Sequence, residues 1–175
     1  LFILMQFSVC FYFAHTKQSF YCDEILTYGL ANSKYGWTDK ESSTKFSENG
    51  WVTRDFFKNY ITGDKSEPFS FDVTYRNQEI DVHPPLHYAL IHIASIFMDD
   101  LSKWPGISIN FILLLFFDMA FLYVANYLYD NDKTKSLYAC ALATLCSLGL
   151  SNILYIRMYF LLSVLVLLYV SIHVH

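Results

Sequence analysis

Charge is distributed along this 175-residue chain in blocks. Most charged residues lie between Lys17 and Asp81, while long stretches on either side carry almost none. A chain folding in water interleaves the two classes, because each helix or strand at its surface needs a polar face. Uninterrupted apolar blocks need a different solvent, and the reading that follows is an integral membrane protein. Composition agrees, with 54% hydrophobic, 19% aromatic and only 16% charged residues. A formal net charge of −4 without any basic run argues against a nucleic-acid partner.

A spanning helix needs about 20 mainly apolar residues. Residues 107–129, 137–155 and 158–175 each come close, and residues 1–22 read as a first helix. The chain opens at Leu1 and stops at His175 inside apolar runs, as a fragment of a longer polytopic protein would. Leu1–Ala14 has no basic region before it and no small-x-small site after it, which favours a transmembrane helix over a signal peptide. Leu86–Met98 is apolar but only 13 residues long and carries His87 and His92, so an interfacial or re-entrant helix is expected there. The expected organisation is a first helix over 1–22, an outer loop with juxtamembrane helices over 23–106, and three further transmembrane helices over 107–175. Cys10, Cys22, Cys140 and Cys146 show no paired metal spacing and read as small packing residues.

Orientation follows by parity. If 86–98 does not cross, the 15–85 loop and the 155–158 junction share one face, and the 130–136 turn lies on the other. That turn carries Lys133 and Lys135 close to helix ends, as a cytoplasmic loop does. The competing arrangement would put Lys103 inside, offset by Asp99 and Asp100. Within the loop, Glu24–Ser33 places Ile25, Leu26, Tyr28 and Leu30 on a broad apolar side, predicting a short helix on the membrane. Trp51–Tyr60, with Val52, Phe56 and Tyr60 at four-residue spacing, predicts a second. Residues 33–50 are polar and read as a flexible excursion. Phe69, Phe71, Val73 and Tyr75 alternate with polar residues, a weak strand or extended signal.

Three elements could carry chemistry. Asp23 and Glu24 stand where the first helix leaves the membrane, and adjacent carboxylates at such a boundary suit a general base. Equally, Asp23 could cap a helix beginning at Glu24, whose charge favours the helix's positive end. The run Asp81-Val82-His83-Pro84-Pro85 places a carboxylate and an imidazole before a rigid proline pair. It reads either as a helix start capped by Asp81 or His83, or as one wall of a binding site. Arg157, in Tyr155-Ile156-Arg157-Met158-Tyr159, is an isolated cation between apolar segments. It either snorkels to the interface or holds a phosphate through its guanidinium fork. His83 and His87 are four apart, but the prolines between them weaken any metal pair.

These elements, in this order, resemble the N-terminal part of a GT-C glycosyltransferase of the dolichyl-phosphate-mannose–protein mannosyltransferase-like superfamily, including its bacterial relatives. The resemblance covers nearly the whole chain. It implies an all-α polytopic membrane protein with about four transmembrane helices here and a large first outer loop. It further implies inverting transfer of a sugar from a polyprenyl-phosphate donor to a lipid, glycan or protein acceptor, at the extracytoplasmic face of a bacterial plasma membrane. Asp23, with Glu24 beside it, matches the family's acidic catalytic position. Asp81, His83, Pro84 and Pro85 match the segment that lines the site, and Arg157 with Tyr159 matches the donor-phosphate position. His87 stands where many relatives carry an aromatic. Some relatives use a divalent metal, so one is possible here, but no convincing ligand set supports it and no cofactor is certain. The competing reading is a transporter or flippase-like protein that binds an anionic substrate through Arg157 and Asp81. A structural or sensory membrane protein is a third, under which Asp23, His83 and Arg157 would be individually dispensable.

Overall fold

A computed structural model describes residues 1–34, 54–62, 68–97, 100 and 102–174, without the side chains of residues 56, 57 and 80. Among the described residues all regular structure is helical. The chain divides into two units, one formed by Leu1–Ser19 and Ile107–His175, the other by Phe20–Gly106.

The first unit contains α1 (Phe2–Thr16), α6 (Trp104–Leu128, counted here from Ile107), α7 (Lys133–Leu145), α8 (Ser147–Leu154) and α9 (Tyr159–His173). The 25 residues of α6 rise about 38 Å, enough for a hydrocarbon core of about 30 Å. Helix α6 is long and apolar enough to cross a membrane. Helices α7 and α8 are bent by 61° at Cys146 and would make a second span only if taken as one. At 15 residues each, α1 and α9 are shorter apolar helices, so one clear span stands where about four were expected. The first helix ends at Thr16 rather than near residue 22, because the backbone turns extended at Lys17 and a new helix has begun by Cys22.

This unit keeps small and apolar side chains inside, among them Cys10, Ala14, Leu114, Cys140, Ile153 and Val164. Phe7 meets Phe111 edge-on at 5.6 Å, and Phe117 lies 5.8 Å from Phe160. The outside is also apolar: Leu4, Met119, Leu142, Leu148 and Leu162, one from each helix, are exposed. Such a surface is suited to lipid contact. The bend at Cys146 relies on close approach at Gly149, where a Cβ would lie 2.1 Å from the carbonyl oxygen of Ala143. Lys17 Nζ donates to Leu154 O at 3.1 Å, and Asn110 Nδ2 donates to Ile153 O at 2.8 Å and Tyr155 O at 3.1 Å. The end of α1, the start of α6 and the α8–α9 corner therefore share one end of this unit. Parity requires this geometry if 86–98 does not cross.

The second unit contains α2 (Cys22–Asn32), α3 (Arg54–Thr62), α4 (Phe71–Ile80) and α5 (Pro85–Ser95). Helix α2 packs against each of the other three. It was expected to lie on a membrane with an apolar side down. Instead Glu24 and every residue from Thr27 to Asn32 are buried within the unit. A Cβ on Gly29 would fall 1.8 Å from the Tyr60 ring, so the glycine is what lets that ring lie against α2. Tyr28 accepts a hydrogen bond from the Gly106 N–H at 2.9 Å.

The expected strand around Phe69–Tyr75 is corrected to helix α4 from Phe71. Its inner face is Val73, Thr74, Asn77 and Gln78, a helical spacing written mostly in polar letters. Two of them, Thr74 and Asn77, serve the carbonyls left over at the end of α2. Thr74 Oγ1 donates to Ala31 O at 2.9 Å, and Asn77 Nδ2 to Leu30 O at 2.9 Å and Ser33 O at 3.0 Å. Helix α5 buries His87, Tyr88, Ile91, His92 and Ser95 on one face. At 11 residues it rises about 16 Å, too little to cross. The expected helix over 51–60 is present as α3. Val52, the side chain of Phe56 and all but the first two residues of the expected excursion lie outside the described residues.

Candidate functional site

Helix α2 begins at Cys22, two residues before the expected start, with Tyr21 as its N-cap. Glu24 is therefore the third helical residue, and its Oε2 accepts the Tyr21 N–H at 2.9 Å. Capping belongs to Glu24 rather than Asp23, a reversal that follows from the two-residue shift. Glu24 is fully buried in this role, whereas Asp23 is half-buried in the first turn, where the helix dipole favours a negative charge. Of the two carboxylates, Asp23 is the one solvent reaches. Burial first, and then the nearby Glu24 carboxylate, raise the Tyr28 phenol above its ordinary pKa, against the opposing hydrogen bond from Gly106.

The Asp81–Tyr88 run folds into a hydrogen-bonded cluster. Asp81 ends α4 in extended geometry, and its Oδ1 accepts the Val82 N–H at 2.9 Å. Its Oδ2 lies 2.9 Å from His83 Nδ1 and accepts from Tyr88 Oη at 3.4 Å. A carboxylate on Nδ1 makes that nitrogen the protonated one and leaves the Nε2 lone pair as the basic position. Pro84 is the N-cap of α5 and Pro85 its first residue. Neither Asp81 nor His83 caps the helix, because the proline geometry starts it and both side chains are engaged with each other. The His83 and Asp81 side chains remain 24% and 22% exposed, so the cluster is accessible. His87 points into the unit instead, against Tyr88 at 6.0 Å. Among the described residues no three His, Cys, Asp or Glu side chains gather as metal ligands.

Arg157 and Tyr159 belong to the first unit, Arg157 in the non-helical corner between α8 and α9 and Tyr159 as the first residue of α9. The Arg157 N–H bonds Tyr155 O at 2.9 Å, and the residue is only 7% exposed. Burial of this kind departs from a snorkelling arginine. Tyr159 stacks on Tyr155 at 6.2 Å and is 44% exposed. Asn110 and Lys17 hold the corner's carbonyls, so the backbone presenting Arg157 is fixed from two helices. The structure thus brings Asp81, His83 and Tyr88 together, keeps Asp23 and Glu24 in the same unit, and places Arg157 and Tyr159 in the other.

Two polar residues of the first unit escaped the sequence reading. Asp118 sits near the middle of α6 and receives a 3.0 Å hydrogen bond from Gln6 of α1. A single carboxylate inside an apolar run of spanning length was the available signal. No protein family, curated protein or solved structure matches the chain.

Proposed function

We propose that this protein is a membrane glycosyltransferase of the GT-C kind, moving a sugar with inversion from a polyprenyl-phosphate donor to an acceptor at the outer face of the membrane. The observation that supports it most is the Asp81–His83 pair, with Nδ1 held by the carboxylate and the ring fixed before Pro84 and Pro85. A ring so held forms a rigid polar wall with a basic nitrogen available to a hydroxyl. Asp23, reached by solvent at the positive end of α2, is the base on the acceptor hydroxyl, while Glu24 secures that helix end. Arg157, with Tyr159 beside it, stabilises the departing phosphate, whose negative charge needs a cation more than an acid.

Transfer from a panel of polyprenyl-phosphate sugars in membranes containing the protein tests this. Asp23→Asn is expected to lower turnover by about 10²- to 10⁴-fold, the span of general-base effects. Arg157→Ala is expected to weaken donor binding by about 10- to 100-fold, as loss of a charged hydrogen bond does. Undiminished transfer by both variants would sink the reading.

One observation favours the transporter reading. The 61° break between α7 and α8 interrupts an apolar stretch, as in transporters with discontinuous helices. In that case Arg157 and Asp81 bind an anionic substrate, and their variants lose uptake into vesicles with no sugar transferred.

A further inference from the structure

Asp118 lies about 21 Å from one end of α6 and about 15 Å from the other, the depth of a bilayer's centre if this helix crosses. It is 2% exposed. Its Oδ1 accepts hydrogen bonds from Gln6 Nε2 at 3.0 Å and from Cys140 Sγ at 3.4 Å. The Gln6 amide also donates to Thr144 Oγ1 at 2.9 Å, and that hydroxyl donates onward to Cys140 O at 2.8 Å. Gln6 and Cys140 are fully buried and Thr144 is 1% exposed. The second carboxylate oxygen, Oδ2, is buried with no hydrogen-bond partner among the described residues.

The groups around this carboxylate are an amide, a hydroxyl and two thiols. The titratable ones facing it are Cys10 on α1 and Cys140 on α7, and neither brings a positive charge. Two neutral donors on one oxygen do not offset the loss of water around an ionised carboxylate at this depth. A bound metal cation fits poorly. Hard cations such as calcium take six or more oxygen ligands, whereas Gln6 presents its NH₂ and Cys140 its sulfur. A proton fits at Oδ2 and needs no further ligand.

We propose that Asp118 is a proton-binding site within the bundle. The carboxylate takes one proton from a water-borne hydronium onto Oδ2, releasing water and becoming a neutral acid, while Oδ1 keeps its bonds from Gln6 and Cys140. Thr144, which anchors Gln6, lies two residues before the 61° break at Cys146. Rearrangement of the break therefore displaces a support of the site, which gives proton uptake and release a structural counterpart.

Infrared difference spectroscopy of the purified protein in lipid vesicles, in light and heavy water, tests this inference. Wild type is expected to show a carboxylic-acid carbonyl band that shifts on deuteration and is lost in Asp118→Asn, with helical circular dichroism retained. A band unchanged in Asp118→Asn, or no acid band in wild type at neutral pH, would overturn it. Should Asp118→Asn not fold, Gln6→Leu removes one hydrogen bond to the carbonyl and must raise the frequency of the band while leaving it present. An unmoved band refutes the assignment. Exchange of sodium for choline with a chelator present should leave the band intact, and its appearance only after cation removal would show a metal site instead.

Discussion

The two units solve the problem of polar groups in opposite ways. In the second, buried polar side chains are spread along the ends of α2, and Thr74, Asn77 and Asn32 each satisfy a carbonyl on another segment. In the first, interior polar contacts are concentrated in the Gln6–Asp118–Thr144 network and the Asn110–Lys17 corner. The remainder is small-residue and aromatic packing under an apolar exterior. A fold surrounded by water can use side chains to finish short helices, since errors are repaired by solvent. The first unit does this at the end of α8, through Lys17 and Asn110, and if it lies in lipid, where such repair is absent, its polar side chains act as occasional fasteners.

The largest test of this contrast uses one glycine from each unit. Gly149→Ala is expected to cost about 3 kcal/mol, because the new methyl meets the backbone oxygen of Ala143, and no truncation of a neighbouring side chain should relieve it. Gly29→Ala should cost about 2 kcal/mol but be largely rescued by Tyr60→Ala, since there the obstacle is a ring. Denaturation in detergent, monitored by circular dichroism, distinguishes the two, and rescue of Gly149→Ala by a side-chain change would break the comparison. Next comes Asn77→Ala against Gln6→Leu. Each removes two hydrogen bonds, but the first is expected to cost about 1–3 kcal/mol and the second about 1 kcal/mol.

The second unit should also lose stability in alkali. Burial pushes the Tyr60 phenol from 10.0 up to about 12. Stability from keeping that phenol neutral is therefore complete below pH 10 and lost as the pH rises through about 12. Tyr60→Phe should move the alkaline unfolding midpoint upward, measured by tyrosinate absorbance alongside circular dichroism. The smallest effect belongs to the turn before α7. The Lys135 backbone N–H first, and then the Lys135 side chain, hold the Asp132 carboxylate below its ordinary value of 3.8. Its contribution is present above pH about 4 and lost only as pH falls through the lower folded value. Asp132→Ala should therefore erase a small acid-side dependence and leave the alkaline limb unchanged.

These contrasts explain how far the sequence could be read. The apolar blocks exposed the helices of the first unit, because length and lack of charge are local properties. The break at Cys146 was not legible, since it depends on Gly149 meeting Ala143 rather than on a proline or a polar run. In the second unit, hydrophobic alternation at Phe69–Tyr75 suggested extended chain. The side chains that determine the helix there are Thr74 and Asn77, which periodicity counts as polar although they are interior. The DVHPPLHY run announced a helix start and a polar cluster, but not that Asp81 and His83 would bind each other instead of capping. Asp23 and Glu24 exchanged roles through a two-residue shift in helix start, within the error of any boundary read from sequence.

The discontinuity of the first unit sets an order of events during synthesis. Gln6 emerges 112 residues before Asp118 and 138 before Thr144. At about 5–20 residues per second, α1 waits roughly 6 to 22 s for its first polar partner. Throughout that interval its amide must be held by other partners, water among them. Helix α1 is thus vulnerable throughout that interval, and slowing translation between residues 20 and 106 would lengthen that exposure without touching a single native contact.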